Sequence, residues 1–190
     1  MALQKKVDKW KMKQWFSVYA PKVFNESVVG EMPANDEKAA MGRNIVISLD
    51  TLTKNPSHAY TNVVLKVENV QGTSARTRLV ALEQLYSYTR SLVRRYRSIA
   101  TSVIPVTTKD GIRMVVKMIA VTRRRTAHSK ILGVRKEMNQ LVEAYAKEND
   151  AAPMISAIID GKFQAELSAK LDHITDLNKI EVRKLEIKGA

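Results

Sequence analysis

The stretch Thr107-Thr108-Lys109-Asp110-Gly111-Ile112-Arg113-Met114-Val115-Val116-Lys117-Met118-Ile119-Ala120 decides the fold class. Asp110-Gly111 supplies a turn whose glycine accepts a positive φ. After it, Ile112, Met114, Val116, Met118 and Ala120 share one side, with Arg113 and Lys117 on the other. A period of two marks a strand with one buried face. Residues 99–122 therefore read as a β-hairpin about this turn. Pro105 lies in the first arm and has no N–H to give a ladder, so that arm is an edge strand or is bulged there.

Upstream, Val63, Leu65 and Val67 alternate with Lys66 and Glu68, which makes 62–70 a second half-buried strand. Gln71-Gly72 turns the chain, and 73–81 reads as a weaker strand with Arg76 and Arg78 on one face. Residues 44–49 form a short β-branched strand, separated from the next by the loop signal Asn55-Pro56-Ser57. Phe16, Val18 and Tyr19 continue a strand-like run from Trp15, for which packing against the domain is expected. Trp10 is balanced between packing and stacking on a base. Residues 87–98 look helical, with Leu92, Tyr96 and Ile99 at helical spacing and Arg90, Arg94 and Arg97 on another face.

Downstream, Ile131, Val134, Met138, Leu141, Val142 and Tyr145 make an apolar stripe along a helix over 126–148. Gly133 weakens that helix by about 1 kcal/mol relative to alanine. Shorter helices over 152–160 and 163–173 are split by Asp160-Gly161. Residues 178–187 read as a final strand whose apolar phase shifts between Ile180/Val182 and Leu185/Ile187, which calls for a bulge or a change of partner. Strands first and helices later indicate an α+β fold: an antiparallel β-sheet or open β-barrel-like domain with flanking C-terminal helices. The expected organisation is a basic N-terminal extension over 1–13 and a single globular domain over 14–190. That domain is strand-rich to about residue 122, helix-rich over 126–173, and closed by the strand at 178–187.

A chain of 190 residues, 45% hydrophobic, can bury a real core. There is no cysteine, which excludes a disulfide framework and thiolate metal sites and fits a reducing compartment. The N-terminal lysines precede no apolar segment of the kind a signal peptide needs. The longest apolar run, 151–159, is interrupted by Pro153 and Ser156 and falls short of the ~20 residues of a membrane span. A soluble cytoplasmic protein with no membrane partner is expected.

Charge carries the functional reading. Lys and Arg number 32 against 19 Asp and Glu, a formal net charge of +13. The excess is clustered: Lys5, Lys6, Lys9, Lys11 and Lys13 at the start, then Arg90, Arg94, Arg95 and Arg97, then Arg123, Arg124, Arg125, Lys130, Arg135 and Lys136. A solvated face is the plain alternative, but separate clusters with little intervening acid are the footprint of a nucleic-acid partner. The candidate RNA-binding residues are Lys5, Lys9, Lys11, Lys13, Arg76, Arg78, Arg94, Arg95, Arg97, Arg123, Arg124, Arg125, Lys130 and Arg135. Such residues neutralise phosphates, and arginine adds a planar fork for phosphate oxygens. There is no zinc-finger spacing, no basic region leading into heptads and no aromatic RNP-type strand. Charge spread over several elements suits grip on a structured RNA by shape and backbone.

Catalysis finds little support. His58, His128 and His173 are far apart and none has metal-ligand spacing. No glycine loop ends in Lys-Ser/Thr, and Glu83, Asp110, Asp160 and Asp172 are scattered. No catalytic residue, metal site, cofactor or small-molecule substrate is expected.

Several segments taken together resemble one family. They are Lys13-Gln14-Trp15-Phe16, Ala20-Pro21-Lys22-Val23-Phe24, Val70-Gln71-Gly72, Ser91-Leu92-Val93-Arg94-Arg95, Val106-Thr107-Thr108-Lys109-Asp110-Gly111, Arg123-Arg124-Arg125 and Val134-Arg135-Lys136-Glu137-Met138. In order and spacing, from about residue 10 to residue 187, they resemble the archaeal and eukaryotic small-subunit ribosomal protein family S3Ae, also named eS1. Where the family commonly carries Leu-Thr-Arg-Asp, this chain reads Gln84-Leu85-Tyr86-Ser87, so an RNA contact from that arginine is not carried over. The chain stops soon after Ile187, without the long extension of eukaryotic members, which gives it an archaeal look. The resemblance implies a β-rich, barrel-like domain on the platform of the small subunit, near the mRNA exit and the 3′ region of the rRNA. It implies a structural role with small-subunit rRNA and neighbouring ribosomal proteins as partners, mRNA near the exit as a further one, and no enzymatic activity. A free-standing basic RNA-binding or chromatin-type protein would use the same charges, as would an RNA-processing enzyme.

Overall fold

The predicted hairpin forms one side of the sheet. In the computed structural model of the chain, which describes Trp10 and residues 12–188, β6 (Ile99–Thr107) and β7 (Arg113–Thr122) pair antiparallel from Ile99↔Val121 to Thr107↔Arg113. Gly111 takes φ +78° in the turn, as its sequence requires. Pro105 pairs with Val115 without a register shift, and β6 is the outermost strand, where proline is tolerated. Met114, Val116, Met118 and Ala120 are buried, as the alternation demands. Ile119, Val121 and Thr122 are buried too, so the end of β7 is covered on both faces.

β8 (Leu177–Ile187) lies along the other side of β7. Lys117 faces Lys184 and Met118 faces Val182, leaving Arg183 as the extra residue of a bulge. That bulge is the phase shift seen in the sequence. β4 (Thr61–Gln71) and β5 (Ser74–Gln84) form a second hairpin about Gly72. β5 is stronger than its sequence suggests, because it is the branch point of the sheet. β4 runs along one edge of it, while β1 (Gln14–Tyr19) and β8 take successive stretches of the other. Among the described residues, eight strands make one open sheet in the order β2-β1-β5-β8-β7-β6, with β4 and then β3 (Asn44–Ser48) branching from β5. The fold is α+β.

Several expectations are corrected. The β1–β5 pairing is parallel, over Ser17–Tyr19, so the sheet is not purely antiparallel. Between them the chain passes through β2 (Val28–Ala34), α1 (Glu37–Ala40), β3, α2 (Leu49–Thr53) and β4, long enough to bring β5 back alongside β1. Gly30 and Pro33 hide β2 in the sequence; it survives as an edge strand. Trp15 is 56% exposed rather than packed, because the alternation that buries Phe16 and Val18 turns it outward. The helix expected over 87–98 is α3 (Tyr86–Leu92) and ends there. Arg90, Arg94 and Arg97 would stand at i, i+4 and i+7 on one face, and like charges at that spacing oppose helix. The chain instead leaves through Val93, and Tyr96 takes φ +61°.

The helices α4 (His128–Glu148), α5 (Ala151–Ile159) and α6 (Lys162–Leu171) follow, with Gly161 at φ +79° between the last two. α4 packs on β6 and α6 on β8. Val134, Met138, Val142 and Ala146 are the buried side of α4, joined in one core with Met114, Val116, Met118 and Leu185. A smaller cluster of Phe16, Val18, Met32, Ala34 and Ala40 lies with Val67, Val70 and Ala75 of the second hairpin.

Candidate nucleic-acid interface

Register brings two distant basic segments to one place. Ile99 pairs with Val121, so the residues just before β6 and just after β7 share one end of the hairpin. Ser98 stitches that end. Its N–H donates to Thr122 Oγ1 at 2.9 Å, its carbonyl accepts the Thr122 N–H at 3.0 Å, and its Oγ accepts the Thr126 N–H at 3.0 Å. Arg94, Arg95 and Arg97 precede this clasp, and Arg123, Arg124 and Arg125 run between its two threonines.

The backbone of 123–127 is held from inside. The Arg124 carbonyl accepts the Thr122 hydroxyl at 2.6 Å and the Thr126 hydroxyl at 3.1 Å. Arg124 and Arg125 stay exposed. With Lys130, Thr175 and Asp176, whose carboxylate is engaged by Arg123, they line a cleft of about 320 Å³. The N-terminus of α4 begins beside them, and Ala127 gives its first N–H groups no side-chain cap. A helix N-terminus adds positive potential to the lysine and arginines around it.

The basic residues divide into two kinds. Three lysines of the sheet are neutralised: Lys117 Nζ lies 2.9 Å from Glu186, Lys184 Nζ 3.2 Å from Glu186 and 3.3 Å from Glu83, and Lys179 Nζ 2.8 Å from Glu181. The Lys117 hydrogen bond, against a smaller opposing effect of burial, holds the Glu186 carboxyl below 4.5, and Lys184 assists. Burial works against a charged Lys184, but its bonds to Glu186 and Glu83 outweigh that and raise it above 10.5. Arg123 is also engaged, by Asp176. Among the described residues, no carboxylate makes an ion pair with Arg94, Arg95, Arg97, Arg124, Arg125 or Lys130.

The remaining candidates lie elsewhere. Arg76 and Arg78 are on β5 at the opposite end of the sheet, in a cleft of about 840 Å³ that Glu26, Glu68 and Asp110 also line. Arg135 lies further along α4, its Nε buried without a hydrogen-bond partner. Lys13 places Nζ 4.2 Å over the Trp10 ring, and Trp10 is exposed. Lys5, Lys6, Lys9 and Lys11 lie outside the described residues. The sequence gives no sign of Ser98, Thr122, Thr126 and Asp176 as the scaffold of the basic end, since short polar residues carry no periodicity.

The three histidines stay apart. His58 Nδ1 meets Thr53 Oγ1 at 3.0 Å, His128 opens α4, and His173 Nε2 lies 3.4 Å from Glu137. Among the described residues, no group of three or more His, Cys, Asp or Glu is placed to hold a metal ion, and no helix is long and apolar enough to cross a membrane.

The sequence matches the ribosomal S3Ae family over residues 2–189. It is similar to small ribosomal subunit protein eS1 of Pyrobaculum aerophilum, 32% identical over 182 residues that cover 96% of this chain and 82% of the relative. The eS1 protein of Methanococcus vannielii is 33% identical over 180 residues, covering 95% and 82%. That of Sulfurisphaera tokodaii is 35% identical over 183 residues, covering 96% and 95%.

Proposed function

The chain belongs to the ribosomal S3Ae family, structural components of the small ribosomal subunit and not enzymes, and on that premise we propose that it binds small-subunit rRNA through the basic end of the β6–β7 hairpin. One observation carries this reading. Arg124, Arg125 and Lys130 line one cleft at the end of the β6–β7 hairpin, next to the segment that carries Arg94, Arg95 and Arg97, and none of the six makes an ion pair with a carboxylate among the described residues, while Lys117, Lys179 and Lys184 of the sheet are neutralised within the fold. A surface of unneutralised arginines on a hydrogen-bonded scaffold is suited to phosphate oxygens.

Arg76 and Arg78, at the far end of the sheet, serve as a second contact, and the lysines of 1–13 thread into rRNA as an extension of a domain spanning 14–190. Family resemblance is the support for a place on the platform of the subunit, near the mRNA exit, with neighbouring ribosomal proteins as partners and mRNA as a further contact in the cytoplasm. Cross-linking within purified subunits tests that place: links to platform proteins and to the 3′ region of the rRNA are expected, and links confined to another region would refute it.

Affinity for small-subunit rRNA, measured over a range of salt, tests the binding itself. Each phosphate neutralised releases counterions, so log K should fall steeply and linearly with log salt. Absent binding, or binding indifferent to salt, would overturn the reading.

A further inference from the structure

We propose that Tyr96 is a stacking platform for an unpaired base of RNA, with phosphates of the same strand held by the flanking arginines; this rests on the RNA-binding reading and names the kind of RNA that reaches the site. Tyr96 is 83% exposed and takes φ +61°. A bulky aromatic residue rarely adopts that left-handed backbone, where glycine or asparagine would sit without strain. Strained residues persist where the surrounding structure fixes them, and they gather at ligand sites.

The surroundings do fix this one. On one side the Val93 N–H donates to the Arg90 carbonyl at 3.2 Å as α3 ends. On the other, Ser98 is clasped to Thr122 and Thr126. Residues 94–97 form a short bridge between two anchors, with Tyr96 standing between Arg95 and Arg97. Its neighbours in sequence make a useful contrast. Tyr88 is used by the fold: its ring stacks on Tyr60 at 5.0 Å and its hydroxyl donates to Glu181 at 3.0 Å. Tyr86 is 72% exposed, and the Arg90 guanidinium sits 5.3 Å over its ring.

The chemistry selects the ligand. An exposed π face between cations suits a planar ring tethered to anionic groups. A base inside a duplex is stacked on its neighbours and offers no free face, so the partner is an unpaired nucleotide.

The test uses the full chain with a fluorescent oligouridine strand and a blunt-ended RNA duplex, read by anisotropy. Tyr96→Ala should weaken oligouridine binding roughly tenfold while leaving the duplex and both salt slopes unchanged. Tyr96→Phe, which keeps the ring, should bind as the parent does. Tyr96→Gly should also lose the strand, yet with a melting temperature no lower than the parent's, because glycine relieves the positive φ. A Tyr96→Ala protein that binds oligouridine like the parent, or loses both RNAs equally, overturns the proposal. If Arg124→Ala/Arg125→Ala weakens binding while Tyr96→Ala does not, stacking falls and the RNA-binding reading stands. If the parent binds small-subunit rRNA but not oligouridine, stacking alone falls; if it binds none of the three RNAs at low salt, both fall.

Discussion

Arg123 and Asp176 hold each other twice. The Arg123 Nε lies 3.2 Å from Asp176 Oδ1, and the Arg123 backbone N–H donates to the Asp176 carbonyl at 3.1 Å. The contact ties the exit of β7 to the entry of β8. It also separates Arg123 from the two arginines that follow it. A run that reads as one basic cluster contains one residue paired within the fold and two that are exposed and make no ion pair among the described residues.

The three arginines should therefore respond differently. Arg124→Ala with Arg125→Ala should lower the slope of log K against log salt by about 1.4 to 1.8, taking 0.7 to 0.9 per phosphate contact. Arg123→Ala should change that slope by clearly less. Its effect on stability should be at most about 1 kcal/mol, since both partners of the pair are 64% exposed and solvent screens them. Equal slopes for all variants and the parent would mean that the run is a solvated face. The readout is RNA binding across a salt series, alongside urea unfolding.

Glu181 joins three elements. Its carboxylate accepts from Tyr88 of α3 at 3.0 Å, Gln84 of β5 at 2.8 Å and its β8 neighbour Lys179 at 2.8 Å, with only 13% of the side chain exposed. Glu181→Ala would leave three donors without their acceptor, at a cost of about 1–3 kcal/mol. Tyr88→Phe, which removes the bond to Glu181 and the one the hydroxyl accepts from the half-exposed Lys179, should cost about 0.5–1.5 kcal/mol. Urea midpoints should fall in that order with the m-value unchanged. A Glu181→Ala midpoint equal to the parent's would show that the hub does not stabilise the fold.

Glu186 gives a pH dependence with a definite sign. Lys117 chiefly, then Lys184, hold its carboxyl below 4.5 in the folded chain. Its contribution is therefore complete above the unfolded value of 4.5 and is lost as the pH falls through the lower folded value. The stability gap between the parent and Glu186→Gln should be constant near neutrality and should shrink from about pH 5 downward. A gap that does not change on acidification would contradict the ion-pair assignment. Thermal melts over an acid pH series supply the comparison.

How much of this was legible from residues alone follows from range. The β6–β7 hairpin was readable because an Asp-Gly turn and a period of two are local, and the Arg183 bulge because it breaks that period. α4 was readable for the same reason, through its buried stripe. The parallel β1–β5 pairing was not, since it is made by residues far apart in the chain. The segment after α3 misled because Leu92, Tyr96 and Ile99 happen to match helical spacing, while the Ser98–Thr122 clasp that holds the chain open is tertiary. The same holds for the site. The arginine clusters were visible as composition. Their convergence, and the capture of Arg123 by Asp176, depend on strand register and on a partner far down the chain. The apolar strand-like run through Phe16, Val18 and Tyr19 points to packing for Trp15, whereas its parity relative to Phe16 and Val18 decides that it faces out.

The measurement closest to the central claim is a sucrose gradient of native lysate, probed for this protein in low and high salt. An rRNA-binding component of the small subunit should migrate with small subunits and stay with them through a high-salt wash. Migration at the top of the gradient, or release at modest salt, would contradict that claim and point to a free-standing basic RNA-binding protein.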